Sequence, residues 1–484
     1  MTYEELRKKY DKFIYEKYEI NDTWDWWDIT YFFSIPWLTT FTPSIKIDKK
    51  NIKNQNIDKD FVNYLVFHIG LVELISYWKC CCPENVEIKA WYIDEDQIKW
   101  FKKMYFYGLG EFFYTNGIEV DEEGFMNVKV SSFLKEAPTS RESSQSGRDH
   151  EVLWPALAGV ENFKNPSALR ASPFKKGDKS GGDFQWNLIT IWWWKDSCVS
   201  LELLKWMDND TFILNPNDVT LECNKIAGYD NPRIMKRILD PQIVELNQKW
   251  FLNGHTPFNA LLAFLTYLVA YLGNKKYIVL SNESSANESN VRWLKVNHQY
   301  SKSFEFENDF NQYTKKYFWI WIKYFSFLRP LLEIQIAQLF SQFEQYHQVF
   351  KSCNVWSKSK PRKWCCNCPK CLFVFTILSP FLYKEKLINI FWEDLFENKN
   401  LLQTFIDLTW NSDNKPFECV WTYDEVNYAI ALTIKKLKWD LPYLLQYYVD
   451  HFEVKDYDLL NYFNEENNLD PKFLEVLTSH YASS

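Results

Sequence analysis

The segment LITIWWWKDS, residues 188–197, decides how this chain reads. Residues 188–191 are a short apolar run with β-branched members, as in a buried strand, and residues 198–207 carry the apolar spacing of a helix. Between them stand Trp192, Trp193, Trp194, Lys195, Asp196 and Ser197, at the turn where strand gives way to helix. With glycine at the three tryptophans the turn would read GGGKDS. Glycine permits positive φ and close backbone approach, and a helix N-terminus directs N–H groups and the positive end of its dipole at an anion. In that form the turn is a phosphate-binding loop. Taken literally, three indoles fill the space the phosphates need, and the alternative is an aromatic turn capped by Asp196 and Ser197.

Composition bears on that choice. Glycine supplies only 13 of 484 residues, while tryptophan supplies 23. An ordinary globular protein is about 7% glycine, and here the two residue types together come close to that share. We therefore expect that UGA codons, read as glycine in the source organism, stand here as tryptophan.

Outward from the turn, residues 211–214 form a second strand-like run, residues 258–272 a long apolar helix and residues 277–280 a third strand-like run. Strands alternating with helices predict the α/β class with a parallel sheet, whose ligands lie beyond the carboxyl ends of the strands. The organisation expected is an α+β domain over 1–136, with a strand-like run at 86–93, then an atypical linker or insertion over 137–187. The parallel-sheet domain follows over 188–350, and a cysteine cluster with a helical region over 351–484. The 137–187 stretch holds five of the 13 glycines and is rich in Ala, Ser, Arg and Pro, unlike its surroundings. Residues 257–273, the longest apolar stretch without a charge, fall short of the roughly 20 a membrane span needs. They are expected as a buried helix, and no membrane partner is expected.

Lys and Arg number 55 against 63 Asp and Glu, a net charge of -8, which leaves no basic excess for a nucleic-acid surface. The opening MTYEELRKKYDKF has no apolar core of a secretory signal, so the cytoplasm is the expected compartment. The 11 cysteines are clustered, which in a reducing compartment points to metal ligation or catalysis rather than disulfides. Cys365, Cys368 and Cys371 are spaced C-x-x-C-x-x-C, and Cys353 adds a fourth thiolate. Four thiolates close a tetrahedral structural zinc site. Cys366 competes as a ligand, and Cys80, Cys81 and Cys82 are expected as unpaired thiols.

A second polar cluster follows the third strand: Ser281, Asn282, Glu283, Ser284, Ser285, Ala286 and Asn287. Carboxylate and amides at a strand's carboxyl end suit a metal ion, a ribose or an amino acid. Asn253, Gly254, His255 and Pro257 precede it, and Asn297, His298, Lys302, Ser303 and Glu305 come after. His255, His298, Lys302 and Glu283 are the candidates for proton transfer. A solvated loop with helix caps is the alternative.

The hexapeptide 192–197 resembles the PP-loop of ATP pyrophosphatases. NGHTPFNALLAF, SNESSAN, VNHQYSKSFEFE, FLRPLLEIQIAQLF, SCN and WCCNCPKCLFVFTILSPFL together resemble the UDP-N-acetylmuramoyl-L-alanyl-L-glutamate epimerases, as do SYWK and YFYGLGEFFYTNGI nearer the start. The resemblance runs from about residue 62 to about 425, apart from 137–187. It implies a PP-loop ATP-binding domain with ATP and Mg2+, and a UDP-MurNAc-dipeptide whose terminal L-glutamate is inverted through an acyl-adenylate, releasing AMP and diphosphate. An acyl adenylate, unlike a carboxylate, lets the α-proton leave. For the nucleotide it implies Trp192 to Trp194, Lys195, Asp196, Ser197, Asn215, Ser281, Asn282 and Asn287, with Glu283 as a further magnesium candidate. The departures are the three tryptophans, together with Trp91, Trp356 and Trp421, where the family has glycine. Two rival readings remain: another PP-loop adenylating enzyme, of the deazaguanine-synthase or tRNA-modifying kind, and a catalytically dead, zinc-stabilised binding protein. The oligomeric state is left open.

Overall fold

The computed structural model describes residues 1–131, 186–192, 194–287, 300–353, 355, 363–409, 422–455 and 458–481. Trp193, His298, Trp356, Trp421 and residues 137–185 lie outside the described residues, as does the Asn287 side chain.

Eleven strands among the described residues form one sheet: β1 (Lys12–Asp22), β2 (Trp26–Ile35), β3 (Thr39–Phe41), β4 (Ser44–Asp48), β5 (Asn85–Ile88), β6 (Asn127–Val130), β7 (Trp186–Thr190), β8 (Asn209–Leu214), β9 (Arg233–Ile238), β10 (Lys275–Leu280) and β11 (Lys323–Ser326). Their spatial order is β11-β10-β7-β8-β9-β4-β2-β1-β5-β6, with β3 on β2. From β11 to β9 every pair is parallel. At β9 the sheet meets β4 antiparallel and continues through the antiparallel β4, β2 and β1 before closing with parallel β5 and β6.

Strands β7, β8 and β10 carry near-continuous apolar runs because both faces are covered there. Alternate residues enter different cores: Leu188, Phe212, Ile278 and Leu280 face one, and Ile189, Ile213 and Val279 the other. The first core is filled by the helices Lys59–Glu73, Phe258–Leu272 and Phe304–Tyr317, the second by Lys195–Leu203, Glu333–Ser341, Pro369–Leu378 and Tyr423–Leu437. The helix predicted over 258–272 has those bounds, and 13 of its residues are buried. Lys59–Trp78 is the helical stretch among the described residues long and apolar enough to cross a membrane, and its most apolar window is 89% buried inside the molecule.

Two local expectations shift. The run predicted over 86–93 is a strand only over Asn85–Ile88. Asp94 then caps the helix Glu95–Gly108 by accepting from the Gln97 N–H while Gln97 bonds back, so the chain turns before 93. The helix predicted from 198 begins at Lys195, with Trp194 as its N-cap in extended backbone and no side-chain cap bond. The cap by Asp196 and Ser197, the alternative reading of the turn, is absent there.

The connections position the site. From β7 the chain moves through β8 to β9 on one side, while β10 and β11 lie on the other side of β7. Strand order therefore reverses between β7 and β10, the place where an open α/β sheet forms its ligand crevice, outside the carboxyl ends of the strands.

Candidate active site

Three segments leave adjacent strands at this crevice: residues 191–197 after β7, 281–287 after β10 and 327–333 after β11. In the first, the Trp192 N–H donates to Ser197 Oγ at 2.9 Å, folding the turn back on the start of the helix. Lys195 is 2% exposed, and its ammonium pairs with Asp196 and, at 2.6 Å, with Glu333 Oε1. Burial alone would lower its pKa, but the two carboxylates more than offset that and leave it raised.

Asp196, Glu283 and Glu333 each bring a carboxylate oxygen within 4.8 Å of the other two. These come one from each of the three segments. Burial, reinforced by Asp196, raises Glu283, and burial pushes Glu333 up to about 8 despite the pull of Lys195. Glu333 Oε2 is buried with no hydrogen-bond partner among the described residues. Lys302 faces the same cluster: burial lowers it to about 8, against the opposing pull of Glu283.

The crevice is held by a residue the sequence reading passed over. Arg329, fully buried, donates from Nη1 to the Glu283 carbonyl at 2.7 Å and from Nη2 to the Lys302 carbonyl at 2.6 Å, and pairs with Glu307 at 3.2 Å. The Ser284 N–H donates to the Leu331 carbonyl at 2.9 Å, and the Glu333 N–H to Ser285 Oγ at 3.3 Å. The loop after β10 is thereby fastened to the segment after β11, which fixes Glu283 beside Glu333.

Ser281 Oγ donates to Ser200 Oγ at 2.8 Å and Asn282 Nδ2 to Ser326 Oγ at 3.0 Å, so both stand at the crevice and tie it to its neighbours. Asn215 has φ +51 and exchanges bonds with the Arg237 backbone on β9, N–H to its Oδ1 at 2.8 Å and its Nδ2 to the carbonyl at 3.2 Å. His255 stands with Glu111 rather than in the carboxylate cluster. Its Nδ1 is 3.8 Å from Glu111 Oε2, and its loop is held by Lys79, which donates to the Gly254 carbonyl at 2.5 Å and to Asn253 Oδ1 at 3.3 Å. Phe258, which starts the next helix, packs its ring 5.6 Å from that of Trp192.

The Trp194 indole lies against two lysines. Lys302 Nζ lies 4.7 Å and Lys370 Nζ 4.3 Å from its ring centroid. The indole Nε1 is buried without a hydrogen-bond partner among the described residues.

Behind Lys370 stands the cysteine cluster. Sγ atoms of Cys353, Cys365, Cys368 and Cys371 all lie within 4.8 Å of one another, and Cys368 is the N-cap of the helix Pro369–Leu378. Cys366, with φ +54, turns its thiol away to donate to the Phe391 carbonyl at 2.7 Å, which removes it from the set. Cys80, Cys81 and Cys82 are buried and free.

Glu333, Arg329 and Lys370 are the residues that sequence reasoning missed. The available signal was a charge inside an otherwise apolar run, as in FLRPLLEIQ, because such a charge must be buried with a partner.

A family model described as the MurL N-terminal domain matches residues 4–155 and 157–327, and one described as the MurL C-terminal domain matches 349–458. A protein of Xanthomonas oryzae pv. oryzae, named UDP-N-acetyl-alpha-D-muramoyl-L-alanyl-L-glutamate epimerase, is 30% identical over 379 residues, covering 77% of this chain and 74% of the relative. Relatives of the same name from Micromonospora sp. and Salinispora tropica are 36% and 35% identical over 251 residues, covering 51% of this chain and 56% and 55% of theirs. No solved structure gives a significant match.

Proposed function

This chain belongs to the MurL family, and from that premise we infer that it is an epimerase of peptidoglycan precursor synthesis acting on UDP-N-acetyl-alpha-D-muramoyl-L-alanyl-L-glutamate. In this reading the terminal L-glutamate becomes D-glutamate, ATP activates its carboxylate as an adenylate, and AMP and diphosphate leave. The cytoplasm is the compartment we propose.

One observation carries the reading: Asp196, Glu283 and Glu333 converge with Lys195 at the start of a helix, at the strand-order reversal. The adenylation step needs a place where an anion meets fixed positive charge, and the head of the Lys195–Leu203 helix supplies backbone N–H groups and a lysine. Three oxygen donors suit a hard divalent ion, and the partnerless Glu333 Oε2 supports the fit. Asp196, Glu283 and Glu333 would hold magnesium, which when bound supplies neutralisation of the phosphate charge. Lys195, now clamped between Asp196 and Glu333, would then turn to the phosphates. Four thiolates from Cys353, Cys365, Cys368 and Cys371 fit a structural zinc and leave no open position.

Removing the α-proton requires a base near neutrality. Lys302, brought to about 8 by burial and facing Glu283, is the candidate we favour over His255, which stands with Glu111.

A second reading is favoured by the literal tryptophans: with an indole at 194 in front of the carboxylates, the chain would be a binding protein without turnover. Supplying the UDP-linked L-alanyl-L-glutamate with ATP separates the two. Protein carrying Trp192→Gly, Trp193→Gly and Trp194→Gly is expected to release pyrophosphate and form D-glutamate, and the chain as written is expected to do neither. Pyrophosphate release without inversion would indicate another adenylating enzyme.

A further inference from the structure

Resting on that reading, we propose that Lys370 is a phosphate-binding residue, carried into the active site by the cysteine cluster, and that it grips a phosphate where the Trp194 indole now lies. Lys370 is 5% exposed, yet among the described residues it has no ion-pair or hydrogen-bond partner, only aromatic contacts with Trp194 and Phe373. A buried ammonium without a counter-ion is costly, and the cost is removed when an anion arrives. Its Nζ and that of Lys302 lie over one ring, at the head of the helix that Trp194 caps. Lys370 and a helix N-terminus thus point at one volume, with Lys302 at its side. Lys370 stands between Cys368 and Cys371, so the four thiolates fix the turn that aims it. The cluster thereby acts on the reaction through position.

The test uses the full chain with Trp192→Gly, Trp193→Gly and Trp194→Gly, titrated calorimetrically with inorganic pyrophosphate. Adding Lys370→Ala is expected to weaken binding by at least about tenfold, and Lys370→Arg to recover most of it. Zinc content is expected to stay unchanged and melting temperature not to fall in either, whereas loss of a merely structural lysine would lower it. Binding that ignores Lys370 overturns this inference alone. No pyrophosphate binding in the glycine-restored chain overturns both this inference and the proposed function.

A separate observation carries a second inference: the backbone itself identifies glycine positions. Among the described residues, Trp37, Trp250 and Trp392 have φ of +66°, +65° and +73°, and their side chains are 98%, 87% and 59% exposed. The left-handed region is costly for a bulky residue, and these indoles stand largely in solvent, with Lys363 over the Trp392 ring. Each position is one that glycine serves. Trp37 follows Pro36 in a turn closed by the Leu38 N–H on the Ile35 carbonyl at 3.0 Å, the place where a type II turn takes glycine. Trp250 follows the helix Pro241–Gln248, with the Phe251 N–H on the Leu246 carbonyl at 3.2 Å, as in a Schellman stop. Trp392 ends the helix Lys384–Phe391, its N–H on the Ile388 carbonyl at 2.7 Å. By contrast Trp78 is fully buried and donates from Nε1 to the Pro83 carbonyl at 2.8 Å. We infer that positions 37, 250 and 392 are glycine in the native protein and that 78 is tryptophan. Peptide mass spectrometry of the protein from its source cell, with the gene's codons beside it, decides this. UGA with the glycine mass at 37, 250 and 392, and UGG with the tryptophan mass at 78, is expected. Tryptophan mass at any of the first three overturns it.

Discussion

Two regions of this molecule gather groups that bind metal ions, and they do so in opposite styles. The cysteine cluster is assembled largely by local sequence: three of its four thiols fall within seven residues, and only Cys353 comes from further away. The carboxylate cluster takes one residue from each of three segments spread over residues 196–333 and depends on the sheet to unite them. The first is complete in itself and suits a structural role. The second is mutually repulsive, clamped by Lys195 and left with a partnerless oxygen, and so is primed to change partners. In the proposed function, stability resides in the closed site and reactivity in the frustrated one.

The comparison breaks most readily at the cysteines. Cys371→Ser is expected to cost several kcal/mol, since structural zinc sites couple metal binding to folding, and to release zinc and expose the C-terminal helices to protease. A variant that keeps its melting temperature would remove the structural role. Next comes the strut of the carboxylate site. Arg329→Met leaves Glu307 buried without its counter-ion, and a loss of about 3–5 kcal/mol is expected by denaturant titration, with Glu283 released from its place. Glu333→Gln should behave differently from both. Activity is expected to fall at least about a hundredfold in the glycine-restored chain, without the loss of stability expected of the other two, because a neutral amide replaces a carboxylate that burial disfavours.

How much of this was legible without coordinates differs between the regions for the same reason. The C-x-x-C-x-x-C run, the helix Phe258–Leu272 and the strands β7, β8 and β10 announce themselves by short-range pattern. So do Asp196 and Glu283, each next to a strand end. Glu333 and Arg329 do not, because their meaning comes from β11 lying next to β10, a pairing of residues more than 40 apart. The continuation of the parallel strands into β4, β2 and β1 was equally hidden, since it rests on β9 meeting β4 across nearly 190 residues. His255 looked catalytic from its polar neighbours, yet its partner is Glu111 and its loop belongs to Lys79.

Smaller effects sharpen the contrast. With divalent ions removed, Glu333 has a folded pKa of about 8, above its unfolded value near 4.5. The native state then holds a proton that the unfolded state gives up. Its contribution is fully present below about pH 4.5 and is lost as pH rises through about 8, by at most about 1.4 kcal/mol per pH unit. Melting curves across that range should fall, and Glu333→Gln should flatten them. An unchanged slope would mean the carboxylate is not strained as described. Smallest of all, Trp37→Gly, Trp250→Gly and Trp392→Gly should each raise stability by about 1 kcal/mol, by relieving left-handed backbone.

The most direct measurement follows the α-proton of the substrate's terminal glutamate in heavy water, using protein with glycine at 192, 193 and 194. Deuterium is expected at that carbon only when ATP is present, together with AMP, pyrophosphate and D-glutamate. Exchange or inversion that proceeds without ATP would contradict the account, because the crevice at residues 191–197 would then have no part in the chemistry.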